Sequence, residues 1–197
     1  GDNIYDDKNI GNYNYEDDNE TINEVIKLTG DRSYVQVKYD TGSSGNIIEI
    51  NGYFRKVFTY DGYLYVIMYV PKDEHHKAIA IHRIQTVEAI EMPVRNIPEF
   101  NYDEFCEIRF GVFWGEPKDI KLEISKDFKH YFTKRFWHQT QKLRDNKNGS
   151  LFISMKVPLS YELISWIVGW GKAIKVIEPA ALVLKIKDKL KETLEMY

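Results

Sequence analysis

A single cysteine, Cys106, stands in 197 residues, which excludes an internal disulfide and agrees with a reducing compartment. Long hydrophobic runs are absent too: the longest apolar stretch, from Tyr63 to Pro71, falls far short of the roughly 20 residues that a membrane-spanning helix needs. No basic-then-apolar leader opens the sequence, so the expectation is a cytoplasmic protein with no membrane partner. The net charge is small, −3, and hides an asymmetry. Residues 1–20 hold seven acidic side chains (Asp2, Asp6, Asp7, Glu16, Asp17, Asp18, Glu20) against Lys8 alone, which leaves the rest of the chain at +3. That is too little for strong non-specific DNA binding, which rests on many Lys and Arg neutralising phosphates, but it leaves room for a local basic pocket. Catalytic signatures are missing as well. Cys106 has no motif around it and no serine sits in a glycine elbow, so no enzyme is predicted. His75-His76 beside Glu74, with His82 further on, lack the spacing of a metal site. Gly169-Trp170-Gly171 closes a helix, whereas a dinucleotide-binding loop follows a strand and opens one. Neither a metal nor a cofactor is expected.

With 43% hydrophobic and 29% charged residues, the chain can bury one fair-sized core or two small ones. Residues 1–20 lack periodicity and read as an irregular acidic lead-in, and Gly1 without a methionine suggests an excised piece of a longer chain. Thr21 stands where an N-cap would, before Ile22, Val25, Ile26 and Leu28, an apolar face that stops at Gly30. The period then changes to two. Val35, Val37 and Tyr39 alternate with Tyr34, Gln36 and Lys38, and residues 42–46 mark a turn. Strands are predicted over 47–50, 53–59 and 63–70, separated by Asn51-Gly52 and Asp61-Gly62, dipeptides suited to tight hairpins. A loop over 71–77 and one strand over 78–90 complete a set of five, which by closing on itself makes a small barrel without exposed edges.

Residues 93–104, with Pro98 and no period, read as a linker between a first domain (21–92) and a second (105–197). In the second, Ile120, Leu122 and Ile124 suggest a strand, Ser125 caps a helix to about Phe136, and residues 139–143 and 151–157 read as strands. Ser160 caps a helix whose Leu163, Trp166, Ile167 and Trp170 share one face before Gly171. A strand over 174–177 follows. Pro179 opens a last helix with Leu182, Ile186, Leu190 and Leu194 on one face. Strand, helix, strand, strand, helix, strand is the ferredoxin-like order, with an extra C-terminal helix. Trp166 and Trp170 are assigned to the core; Lys126, Lys129, Lys134 and Arg135 to a solvated helix face.

Asp61-Gly62-Tyr63-Leu64-Tyr65-Val66-Ile67 resembles the Trp-Tyr-Leu signature of WYL domains, with Leu64, Tyr65 and Val66 in its three places. Lys77-Ala78-Ile79-Ala80-Ile81-His82-Arg83-Ile84 is similar to that family's second signature, Arg-x-Phe followed by Asp-Arg-Ile. Phe110-Gly111-Val112-Phe113, Arg135-Phe136-Trp137-His138-Gln139, Trp166-Ile167-Val168-Gly169-Trp170-Gly171 and Val176-Ile177-Glu178-Pro179 resemble the extension that commonly follows WYL. Departures are the signature tryptophan (Leu64), the first arginine (Lys77), the aspartate before the second (His82) and a proline (Gly52). The resemblance implies an α+β chain, a Sm-like or SH3-like barrel followed by the ferredoxin-like domain. It also implies an effector, nucleotide-like or single-stranded nucleic acid, that regulates an attached winged helix-turn-helix; no such DNA-binding domain lies within these residues.

The candidate pocket consists of Tyr65, Lys77 and Arg83, where the cations hold a phosphate or carboxylate and the tyrosine stacks on or hydrogen-bonds a base. Strand alternation places Lys77, Ile79, Ile81 and Arg83 on one face. Tyr39, Tyr53 and Arg55 extend the set, the last two also sharing a strand face. The alternative, from a different class, is a protein-interaction or homodimerisation module that needs no small ligand.

Overall fold

The computed structural model describes residues 11, 13–42, 45–93 and 97–197. Most of the acidic lead-in, part of the turn at 42–46 and part of the linker at 93–104 lie outside the described residues. The chain divides into two units, 1–100 and 101–197.

In the first unit a 3-10 turn, Glu16–Asp18, leads into α1, Asn19–Gly30. The helix starts before the expected Thr21 cap, and Asp18 at its N-cap makes no side-chain bond. Val25 and Leu28 are buried, with Ile22 packed beside them, while Ile26 turns outward; the buried stripe therefore recurs every three residues, as a helix face must. At the C-terminus Asp31 N donates to Lys27 O and Ser33 N to Leu28 O. The left-handed position is taken by Arg32 (φ 52) in place of the expected glycine.

Five antiparallel strands follow: β1 Tyr34–Asp40, β2 Ile47–Tyr60, β3 Tyr63–Val70, β4 His75–Ala80 and β5 Ile84–Ala89, in sheet order β4-β3-β2-β1-β5. Asp61 (φ 48) and Gly62 (φ 76) make the expected tight turn. Asn51-Gly52 makes none: β2 runs straight through, pairing its first half with β1 and its second with β3. A Cβ on Gly52 would lie 2.0 Å from Tyr69 O, so the glycine there serves close approach of a neighbouring strand. The strand expected over 78–90 is broken by a 3-10 turn, Ile81–Arg83. The break has a topological cause, because β4 and β5 are the opposite edges of the sheet. Three residues reach at most about 10 Å, so the sheet curls until its edges approach each other. Val35, Val37, Phe54, Val66, Met68, Ile79 and Ile81 fill the concave side under α1.

The second unit opens with α2, Tyr102–Glu107, capped by Asn101, whose Oδ1 accepts from Asp103 N (3.0 Å) and Glu104 N (3.4 Å). β6 (Arg109–Phe110) and β7 (Phe113–Trp114) form a hairpin about Gly111. A four-stranded antiparallel sheet contains β8 Pro117–Ile124, β9 Lys142–Asp145, β10 Leu151–Pro158 and β11 Ile174–Glu178, in order β11-β8-β10-β9. α3 covers only Lys129–Thr133. Ser125 begins a turn, with Phe128 N on its carbonyl, and caps no helix. The strand expected from 139 begins at 142 because Gln141 Oε1 accepts from Trp137 N and His138 N, closing a turn there. α4, Tyr161–Gly169, carries the expected cap, Ser160 Oγ accepting from Leu163 N at 3.2 Å, and Gly171 has φ 54. Ile120, Leu122, Ile153 and Met155 pack with Phe132, Leu163 and Ile167, and with Leu182 from α5, Ala180–Leu194. Full burial of a leucine such as Leu182 contributes about 1.5–3 kcal/mol. Leu190 and Leu194 share its predicted face but remain exposed. Trp166 and Trp170 pack against this core, Trp166 lying 5.0 Å from Trp137 and Trp170 4.6 Å from Phe132 between ring centroids.

Candidate functional site

Arg83 closes the 3-10 turn with its side chain exposed. Its Nη1 donates to Thr41 O at 3.4 Å. The guanidinium lies over Gly42, where a Cβ would sit 3.0 Å from Cζ. Gly42 has φ 75, so glycine there meets two demands at once, the left-handed backbone and room for the arginine. Among the described residues Arg83 joins no ion pair. It is an exposed cation seated on Gly42 and bonded to Thr41 O.

Lys77 is different. It pairs with Asp73 across the tight β3–β4 turn, and this bond holds the Asp73 carboxyl below the usual carboxylate range. Because the 3-10 turn separates Lys77 from Arg83, strand alternation no longer places them together.

The tyrosines divide between the two faces of the sheet. Tyr39 packs against the concave core and its hydroxyl accepts from Ala80 N at 3.4 Å. Tyr65 opposes Phe58 across β2 and β3, ring centroids 5.5 Å apart, on the face opposite Val66. Tyr53 is buried against Tyr34 at 4.7 Å. Tyr53 and Arg55 do not share a regular face, because the β2–β3 register shifts between Phe54 and Lys56 and leaves Arg55 as the extra residue of a bulge. Arg55 Nη2 donates to Pro98 O at 2.6 Å, and its Cζ lies 5.8 Å from the Phe100 ring centroid. Arg83 and Tyr39 thus belong to the end of β1 near Thr41, whereas Arg55 belongs to the far end, with Arg32.

Sequence reasoning missed two groups. Tyr13 and Tyr15, from the lead-in, pack beside β3 and the 3-10 turn: the Tyr13 ring centroid lies 4.6 Å from that of His82 and 5.7 Å from that of Tyr63, both tilted, and the Tyr15 hydroxyl accepts from Leu64 N. Burial, aided by the neighbouring Arg83 charge, keeps the His82 pKa below its usual 6.5. Arg32 also carried no signal, being one cation in a helix-to-strand connection. In the second unit, Arg135 lies over Trp137 (5.4 Å) and His138 is buried, its Nδ1 2.8 Å from Thr140 Oγ1. A cavity of about 540 Å³ on that unit's sheet mixes Lys121, Lys142 and Lys156 with Asp119 and Glu178, so its charge is largely offset. Among the described residues no cluster of His, Cys, Asp and Glu could hold a metal, and no helix is long and apolar enough to cross a membrane.

Residues 116–194 match the family model of the WCX domain, a span that runs from β8 to the end of α5. Three of the four extension-like motifs fall inside it. A solved structure titled a CRISPR Cas-related protein superposes with a TM-score of 0.59 at 18% identity, over 93% of this chain and 52% of that one. The proteasome accessory factor B/C (PafBC) of Arthrobacter aurescens gives a TM-score of 0.42 at 13% identity, over 95% of this chain and 28% of the other. The chain therefore spans about half the length, or less, of these structures. No curated protein matches the sequence. The chain is of mixed α+β class, and its second unit matches the C-terminal extension of WYL proteins.

Proposed function

We propose that this chain is the effector-sensing region of a bacterial transcriptional regulator. A WYL barrel and its extension bind a nucleotide-like or single-stranded nucleic-acid effector and control an attached winged helix-turn-helix. The WCX match supports the extension. The order β11-β8-β10-β9, with helices after β8 and β10, supports a ferredoxin-like reading of the second unit. In the first unit, a helix before five curled strands, with a 3-10 turn joining the edge strands, supports the Sm-like or SH3-like reading. The role is binding; occupancy is transmitted by differential affinity of the effector for two arrangements of the full-length protein.

The observation that carries the effector reading is Arg83, an exposed guanidinium seated over Gly42 with, among the described residues, no carboxylate in an ion pair with it. A planar fork left open in this way suits a phosphate or carboxylate. Melting temperature is measured against mononucleotides, cyclic nucleotides and short single-stranded oligonucleotides, in the native chain and in Arg83→Ala. A ligand at a hundred times its Kd stabilises by about 2.7 kcal/mol. The reading expects at least one ligand whose rise Arg83→Ala abolishes. A rise that survives the substitution places the ligand elsewhere, and no rise with any ligand removes the effector.

A second reading, an interaction or homodimerisation module, draws on the exposed Leu184, Leu190 and Leu194 of α5 and on Phe113 and Trp114 of β7. Light scattering beside the melting panel separates the two, since a stable dimer without ligand, with no rise from any ligand, favours the module.

A further inference from the structure

We propose a second anion site in the first unit, a cavity at the N-terminal end of β1 whose paired arginines, Arg32 and Arg55, take the phosphate of a phosphate monoester while Phe100 forms its aromatic wall. The cavity measures about 400 Å³ and is lined by Thr29, Arg32, Phe54, Arg55, Glu99 and Phe100, a volume within the range of small-molecule pockets.

Three observations converge on it. The first is the backbone at Arg32. Its φ of 52 is the left-handed conformation at the end of a helix, where glycine is the cheapest residue. An arginine held there is strained, and such strain gathers at ligand sites. The second is the bulge at Arg55, which takes that side chain out of the β2 alternation and aims it at the 97–100 segment, where Nη2 meets Pro98 O at 2.6 Å. The third is charge. Among the described residues neither arginine has a carboxylate within 4.0 Å, and Glu99 lines the cavity without forming an ion pair. Burial and the charge of Arg32 both push the Arg55 pKa below its usual value, and the two cations line one cavity. A dianion between them removes that repulsion and meets two guanidinium forks.

Thr29 adds no free donor, since its hydroxyl donates to Val25 O at 2.6 Å; recognition falls to the arginines. Phe100, tilted against His76 with ring centroids 4.9 Å apart, offers an apolar surface beside them for the organic part of the ligand. The site is separate from that of Arg83. Arg32 precedes β1 and Thr41 follows it, so the length of the strand, on the order of 20 Å, lies between them. The inference therefore stands whether or not Arg83 binds an effector.

The test is calorimetric titration of the whole chain with adenosine 5′-monophosphate, inorganic phosphate and adenosine, repeated with Arg32→Gly, Glu99→Gln and Arg83→Ala. Arg32→Gly removes the guanidinium yet suits the left-handed backbone, so its melting temperature stays level or rises and lost binding is not lost folding. The expected result is binding of the monophosphate, tighter than phosphate and absent for adenosine. It weakens at least tenfold in Arg32→Gly and strengthens in Glu99→Gln, and this Arg32-dependent binding persists in Arg83→Ala. Equal affinity for phosphate and monophosphate overturns the monoester assignment. Undiminished affinity in Arg32→Gly, or no binding at millimolar monophosphate, overturns the site.

Discussion

Replacing Gly52 by alanine tests the course of β2 with one methyl group. A Cβ there would meet Tyr69 O at 2.0 Å and Tyr69 C at 3.0 Å. Both are backbone atoms of the paired strand, so no side chain can rotate away and β2 and β3 must part by more than 1 Å. The displacement falls where β2 passes from pairing with β1 to pairing with β3, and it disturbs ladder bonds on both sides. Overpacking of a flexible core costs about 1–3 kcal/mol; against fixed backbone the loss should reach at least about 3 kcal/mol. For a unit of roughly 100 residues each kcal/mol is worth about 4–8 °C, which places the melting point about 12–24 °C lower. Gly30→Ala is the control. Gly30 is helical, has no atom within 4 Å of the added carbon and no left-handed φ, so the same methyl should stabilise by about 0.5–1 kcal/mol. Thermal denaturation followed by circular dichroism reads both. A Gly52→Ala protein that melts within a few degrees of the parent would refute the close approach of β3. Were Asn51-Gly52 a hairpin turn, a loss nearer 1 kcal/mol would be expected.

Ser160→Ala removes the acceptor for Leu163 N at the start of α4; urea unfolding of the second unit should show a loss of about 1 kcal/mol, and an unchanged midpoint contradicts the cap. His82 has a lowered pKa, so the folded state resists its protonation. Its contribution to stability is complete above pH 6.5 and declines as pH falls from 6.5 towards the lowered folded value. The slope should vanish in His82→Phe, and a slope that persists there assigns the dependence to another group. Titration of the His82 ring by NMR gives the folded value directly, and a midpoint at or above 6.5 contradicts the burial argument.

Much of this architecture is legible in the sequence because it rests on local rules. Alternation reveals β1, Asp61-Gly62 marks by its backbone demands the turn that opens the apolar run of β3, and Ser160 with Gly171 brackets α4. The misreadings share a cause, since each depends on a neighbour that sequence does not show. Asn51-Gly52 has the composition of a hairpin turn, but its glycine answers to Tyr69 on another strand. Residues 78–90 alternate as one strand, but the chain must cross from one sheet edge to the other at Ile81–Arg83. The candidate site suffered most. It assumed regular strands, so the 3-10 turn separates Lys77 from Arg83 and the bulge separates Tyr53 from Arg55. Tyr39 and Tyr53, chosen as ring donors, are largely occupied in packing. Arg32 could not be found from spacing at all, because only its backbone conformation and its nearness to Arg55 distinguish it.

The sensing role is tested most directly by an effector's binding isotherm for the native chain and for Arg83→Ala, by calorimetry at two salt concentrations. The effector is the mononucleotide or short single-stranded oligonucleotide that still raises the melting point of Arg32→Gly, and both proteins carry that substitution so that the second anion site takes no part. A hydrogen bond to a charged group is worth about 1.5–3 kcal/mol, so the account predicts roughly tenfold to a hundredfold weaker binding in Arg83→Ala, a native melting temperature for the free variant, and affinity that falls with salt. Equal affinity in the two proteins, or a variant that has lost its fold, would contradict it.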